Sequence, residues 1–297
     1  FLFKNKTDAE SFMEVSSGKK IETNRPEEIK AQKEQNTADK LASMADKLQT
    51  VAEEKLNRDR KTNTVRRAGM ANNIEADARA EIAMATTMRN LASAIKSGEA
   101  KLLNNLSTKT QIAELDRILK GANYQQEREG TKENGTFKTG IPIDNKTVEK
   151  VTEFYPKLWL EGFEKVLNEN ANTKGLVRTV SNLQKAIRSS NNKESGFFIA
   201  NKNTIDDVIK LQENAVDGNS NWQLNESVAN FKRLQSLGIE SIEQLKATLR
   251  EYIQFKDTPA EADKVKQLER EIIGKKVGID FFPTPKHIAE QMVNMAD

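Results

Sequence analysis

Apolar side chains return every three or four residues along most of this chain, a spacing that lays them on one face of an α-helix. Leu41, Met44, Leu48, Val51 and Ala52 predict a helix from Thr37 to about Leu56. Met70, Ile74, Ala78, Ile82, Ala85, Met88, Leu91 and Ile95 predict a second, from Thr64 to about Lys96, ending before Gly98. Alanines along that stripe let helices approach closely, and the two fold most simply as an antiparallel hairpin. The methionines at this spacing read as core filling.

Leu102, Leu103 and Leu106 follow, and Thr108 with Gln111 has the spacing of a capping box. The helix it opens carries Ile112, Leu115, Ile118 and Leu119 and is expected to stop at Gly121. Residues 122–145 are polar and glycine-containing, with Asn134-Gly135 as a turn, and predict a loop or linker. A small hairpin through Thr136 to Thr139 also fits. Beyond it, Asp144 or Asn145 caps a helix through Val148 and Val151, and Pro156 restarts one bearing Leu158, Trp159, Leu160, Phe163, Val166 and Leu167. Leu176, Val180, Leu183 and Ile187 form the next stripe, and Phe197, Phe198 and Ile199 a plug or short strand. Helices are then expected from Thr204 to Ala215, around Val228, Phe231 and Leu234, after the Ser241–Gln244 capping box, and around Val265, Leu268 and Ile272. The fold class is mainly α: a helical hairpin followed by a second, irregular helical bundle. The organisation reads as an extended linker or arm over 1–35, the long hairpin plus a short helix over 36–121, a linker over 122–145, a second helical domain over 146–277 and a separate terminal segment over 278–297.

Composition narrows the function classes. The 297 residues are 31% charged and 36% hydrophobic, which favours exposed amphipathic helices over a thick core. Glycine and proline are scarce, 14 and 6, against an all-β sandwich rich in tight turns. The net charge is +3, so any nucleic-acid contact has to be a local patch. There is no cysteine, hence no disulfide or thiolate metal site, which suits an intracellular origin. No apolar run is long enough for a membrane span, and nothing resembles a secretory signal. The chain opens on Phe1 with no initiator methionine and reads as a piece of something longer, cytoplasmic or virion-associated.

The strongest charge cluster joins the two hairpin helices. Between Lys55 and Arg67 lie six basic residues and one Asp, interleaved with Thr and Asn. Arg58, Arg60, Lys61, Arg66 and Arg67 are the candidates for phosphate contact. The alternative is a solvated turn whose cations offset the C-terminal dipole of the first helix; no aromatic lies among them to stack on bases. Catalytic candidates are lacking. The one histidine, His287, has no evident partner, adjacent carboxylates such as Asp206-Asp207 and Glu53-Glu54 point to different helix faces, and no phosphate-binding loop or nucleophile motif occurs. No metal-ligand or catalytic set is expected, and the chain by itself reads as an incomplete enzyme.

The terminal segment, from Gly278, carries Phe281-Phe282-Pro283-Thr284-Pro285, where Thr284 suits an N-cap and Pro285 the first helical position. Ile288, Met292 and Met295 then share a face that needs a partner. Phe-Phe-Pro-Thr-Pro with the helix ending Met-Val-Asn-Met-Ala-Asp resembles the opening of the catalytic domain of N6-adenine-type DNA methyltransferases, in the form carried by large phage and plasmid polyvalent proteins. The basic hairpin, and the Leu-Gly-Ile-x-Ser-Ile-Glu-Gln-Leu join at Leu237 to Leu245, are similar to segments preceding that domain. The resemblance implies that Phe282, Pro283, Thr284 and Pro285 form one wall of an S-adenosylmethionine site. It also implies that 278–297 starts a methyltransferase domain whose later glycine-rich turn and Asn/Asp-Pro-Pro motif are not in this chain. The expected function is then a non-catalytic helical region before a DNA adenine methyltransferase domain, positioning DNA or neighbouring modules. Its partners would be DNA through the basic turn, the methyltransferase domain and virion or assembly proteins. Two other readings stand beside it: a structural or cargo segment of a virion, and a helical nucleic-acid-binding adaptor.

Overall fold

The computed structural model describes residues 26–134, 141–190, 196–215, 222–273, 284 and 286–296. The protein is mainly α-helical, with eleven helices and one two-stranded sheet among the described residues. The frame is a long antiparallel hairpin of α1 (Pro26–Asn57) and α2 (Val65–Ser97). At 1.5 Å per residue each arm is about 50 Å long. Alanines dominate the buried faces of the two arms: Ala38, Ala45 and Ala52 in α1, and Ala71, Ala78 and Ala85 in α2. Ion pairs Asp39–Lys96 (2.7 Å), Asp46–Arg89 (2.8 Å) and Lys55–Glu81 (2.6 Å) climb the arms in opposite senses and fix the register. Each is partly solvated and contributes little net stability. Gly98, at φ +78°, closes α2 by donating its N–H to the carbonyl of Ile95.

α1 starts at Pro26, well before the expected Thr37. Its first turns lie where an extended arm was expected, and they show no apolar face. They are supported by i,i+4 side-chain pairs such as Gln32–Asn36 and Gln35–Asp39. Hydrophobic periodicity gives no sign of such a helix.

α3 (Lys109–Asn134) opens with the expected box: Thr108 Oγ1 accepts from the N–H of Gln111, and Gln111 Oε1 accepts from the N–H of Thr108. It does not stop at Gly121. It runs through two glycines, each about 1 kcal/mol worse than alanine, because α4 (Asn145–Glu149) packs on its second half. Thr147 donates to Gln126 (3.1 Å), and Lys150 pairs with Glu129 (2.5 Å). Helix therefore fills most of the stretch expected to be a linker; Asn134 ends α3, while Gly135 and the Thr136–Thr139 hairpin fall on residues outside the described set.

Lys157–Trp159 is a strand, β1, rather than the first turn of a helix. It pairs antiparallel with β2 (Phe197–Ile199), Leu158 opposite Phe198. Both of these side chains are buried, and Phe198 stacks on Phe163 at 5.5 Å. Partner strand and core contact outweigh the helical pattern there, and α5 (Leu160–Glu169) begins immediately after. α6 (Val177–Ser189), α7 (Ile205–Asn214), α8 (Trp222–Ser236) and α9 (Ile242–Phe255) complete the body. Buried side chains from Ala38 to Tyr252 form one continuous cluster, so the expected second core is joined to the first. Asp116 ties α3 to α9, accepting from Tyr252 Oη (2.9 Å) and Lys256 Nζ (2.5 Å).

After α9 the chain is fastened to α2 where the N–H of Asp257 donates to Thr87 Oγ1 (2.9 Å). It then reaches α10 (Lys264–Ile272), which rests on α2 near the hairpin tip. α11 (Lys286–Ala296) ends the described chain. No described helix is long and apolar enough to cross a membrane.

Candidate nucleic-acid interface

The cations of the Lys55–Arg67 segment do not act alike once folded. Arg60 turns inward. Its guanidinium donates to the backbone carbonyls of Lys55 and Arg58, satisfying acceptors left free where α1 ends. Its side chain is only 14% exposed and lies 4.0 Å from Glu75. Arg60 thus does what the dipole-offsetting alternative foresaw, and it is not presented to a phosphate. Lys55 is likewise engaged, with Glu81.

Arg58, Lys61, Arg66 and Arg67 remain exposed, and among the described residues none has an acidic partner. Arg67 donates to Asn63 Oδ1 (2.9 Å), a neutral acceptor. Arg66 and Arg67 occupy the first turn of α2, which Thr64 caps by accepting from the N–H of Arg67 (3.3 Å). No acidic residue lies in that turn. Cations there sit against the positive end of the helix dipole, which is unfavourable by a few tenths of a kcal/mol or more each.

The fold adds a wall that sequence proximity does not reveal. α10 lays Lys266, Glu269 and Arg270, with Ile273 at its end, beside the turn, enclosing with Arg58, Asp59, Arg60 and Glu75 a cleft of about 350 Å³. Arg270 holds it there. Two of its nitrogens donate to the Glu75 carboxylate (3.0 and 2.6 Å), and one of them also to Asn72 Oδ1 (2.5 Å). These bonds hold the Glu75 carboxyl below the ordinary glutamate range, against the opposing effect of burial. Lys266 stands on the rim about 200 residues from Arg58 in sequence, and no local motif could have shown the pairing.

The terminal segment is placed only in part. Thr284 is exposed, whereas Phe282, Pro283 and Pro285 lie outside the described residues. α11 follows with Ile288, Met292, Val293 and Met295 all exposed, and His287 on its surface. No cluster of three metal-ligating side chains occurs among the described residues. Another cleft among the described residues, about 660 Å³, lies at the opposite end of the hairpin against Ser107 and is lined mostly by polar side chains of α1, with no convergent acid, base or nucleophile.

No family model, curated protein or solved structure matches the chain. Chemistry alone therefore ranks the sites, and the hairpin tip brings together four exposed cations, Arg58, Lys61, Arg66 and Arg67, that have no acidic partner among the described residues.

Proposed function

We propose that this is a non-catalytic helical region that positions nucleic acid, with the tip of the α1–α2 hairpin as its contact. Arg58, Lys61, Arg66 and Arg67 supply cations to the phosphate backbone, and Lys266 adds one from α10. The observation carrying this reading is the location of Arg66 and Arg67. They crowd the positive end of α2 with no acid in the turn, an arrangement that costs stability and that a bound phosphate would reverse. Contacts of this kind read charge rather than sequence.

The test is salt dependence. Five phosphate contacts give a log–log slope of about −4.5, so affinity should fall roughly 500-fold between 50 and 200 mM salt. Replacing Arg58, Lys61, Arg66 and Arg67 together by Gln should flatten that slope and weaken all sequences alike. An unchanged slope, or no binding at low salt, refutes the proposal.

On the resemblance of residues 281–297, the nucleic acid is DNA presented to an adenine methyltransferase domain. The uncovered apolar face of α11 supports this, since the first helix of such a domain needs a partner surface. One backbone segment around Thr284 buries too little of a charged cofactor to hold it. Calorimetry of residues 1–297 with S-adenosylmethionine should accordingly show no tight binding; tight binding would mean that the cofactor wall lies elsewhere.

A further inference from the structure

Two aliphatic side chains near the hairpin tip are not used by the fold. Met70 is 55% exposed and Ile74 37%, one turn apart on α2. Neither belongs to the core nor packs against it. The buried face of α2 at this level carries Ala68, Ala71, Glu75 and Ala78. At 100° per residue, Met70 and Ile74 are therefore turned roughly a quarter of a circle away from that buried face. With Ala71 they floor a shallow cleft of about 290 Å³, whose rim is Arg60, Lys61 and Arg67. Of these three cations, Lys61 and Arg67 are exposed and have no acidic partner among the described residues.

An apolar floor between free cations suits a ligand that alternates apolar faces with anionic groups along one strand. Nucleic acid with unstacked bases has that pattern, because each base offers a flat apolar face and each linkage a phosphate. In a regular duplex those faces are covered by stacking, and aliphatic side chains reach them only by wedging a step apart. We propose that the hairpin tip takes single-stranded nucleic acid, one base lying on Met70 and Ile74 while the flanking phosphates are held by Lys61 and Arg67. This rests on the phosphate-binding reading of the tip and adds the class of strand. Sequence preference is weak, since any base presents a face to two aliphatic side chains.

The test compares three ligands by fluorescence anisotropy: an oligothymidine of about 12 nucleotides, matching a typical single-strand site, a duplex of equal length, and heparin, a polyanion without bases. They are titrated into the protein and into the Met70→Ser/Ile74→Ser variant. Both positions are exposed, and an unchanged helical circular dichroism signal verifies the variant's fold. The single strand should bind about tenfold more tightly than the duplex, a preference that the serine pair abolishes. Heparin binding should not change. Equal affinity for strand and duplex, unmoved by the substitutions, overturns the base contact and leaves the phosphate reading intact. A parallel loss of heparin binding in the variant also overturns it, because the pair would then act through the shape of the tip. No binding to any of the three polyanions overturns the phosphate reading itself, and the base contact with it. A Glu/Leu-rich peptide that binds more tightly than oligothymidine, and loses affinity in the serine variant, would assign the cleft to an acidic protein segment and overturn the proposal.

Discussion

Replacing Arg270 by methionine should loosen α10 from the hairpin while leaving the rest of the fold in place. α10 meets the tip with its polar face, and Val265, Leu268 and Ile272 are exposed. Its attachment therefore depends on the guanidinium of Arg270, which reaches Glu75 twice and Asn72 once. Methionine keeps most of the apolar stem and removes every donor. Stripping one partner from a buried ion pair usually costs about 3–5 kcal/mol. Glu75 is not left alone, however, because Arg60 stays 4.0 Å from its carboxylate. At an effective dielectric of about 20 that pair still attracts by about 4 kcal/mol. The net loss then falls to what charge-assisted hydrogen bonds contribute, about 2 kcal/mol. That corresponds to a roughly 30-fold rise in the detached population, read as faster amide exchange across 264–272. The melting temperature should barely move, whereas the same loss applied to global unfolding would lower it by several degrees. Unchanged exchange in α10, or a fall of several degrees in melting temperature, refutes the reasoning.

The same clasp should respond to acid. Glu75 titrates lower when folded than when unfolded, so its contribution is complete above about pH 4.3 and is lost as pH falls through the lowered value. α10 should therefore lose exchange protection in that acid range, and Glu75→Gln should abolish the pH dependence; equal acid sensitivity in both proteins would refute the assignment. Arg60→Gln should destabilise the turn by about 1–2 kcal/mol, since it leaves without their donor the carbonyl of Lys55 in the last turn of α1 and that of Arg58 just after it, whereas Lys61→Gln should leave thermal stability within about 0.5 kcal/mol; the reverse order would mean that Arg60 is the free cation. Tyr252→Phe should cost about 1 kcal/mol in denaturant titration, because Asp116 keeps Lys256 as partner, and Lys256→Met should cost more, about 3 kcal/mol. Gly98→Ala meets no atom within 4 Å yet must hold φ +78°, so it should lose about 1 kcal/mol from backbone strain alone.

Much of the helical frame was legible because α-helical spacing is set by the backbone itself: Leu41, Ala78, Ala85, Met88, Leu91 and Ile95 are buried as their pattern required. The errors have separate physical origins. Gly121 carries a genuine stop signal, yet contacts from Thr147 and Lys150, more than 20 residues further on, outweigh about 1 kcal/mol of propensity. Met70 and Ile74 were assigned to the seam by stepping in fours to Ala78 and Ile82. Each such step overshoots a full turn by about 40°, so the row winds off the face that alternating steps of three and four would follow. In α10 the amphipathic pattern was correct, but periodicity states only that an apolar stripe exists. Which face meets the body was decided by Glu75, almost 200 residues away, because a carboxylate 11% exposed requires a cationic partner and Arg270 lies on the polar side. The basic turn shows the same limit in charge. Six cations in thirteen residues read as one patch, but the free carbonyls at the end of α1 bind one of them, Arg60, and so divide the cluster. What remains at the tip includes Arg66 and Arg67, which the dipole of α2 disfavours, beside aliphatics that the core does not use. A fold optimised only for its own stability would have placed an acid in the first turn of α2 and a polar residue at 70. That both are absent at one place is the physical reason for locating function at the hairpin tip.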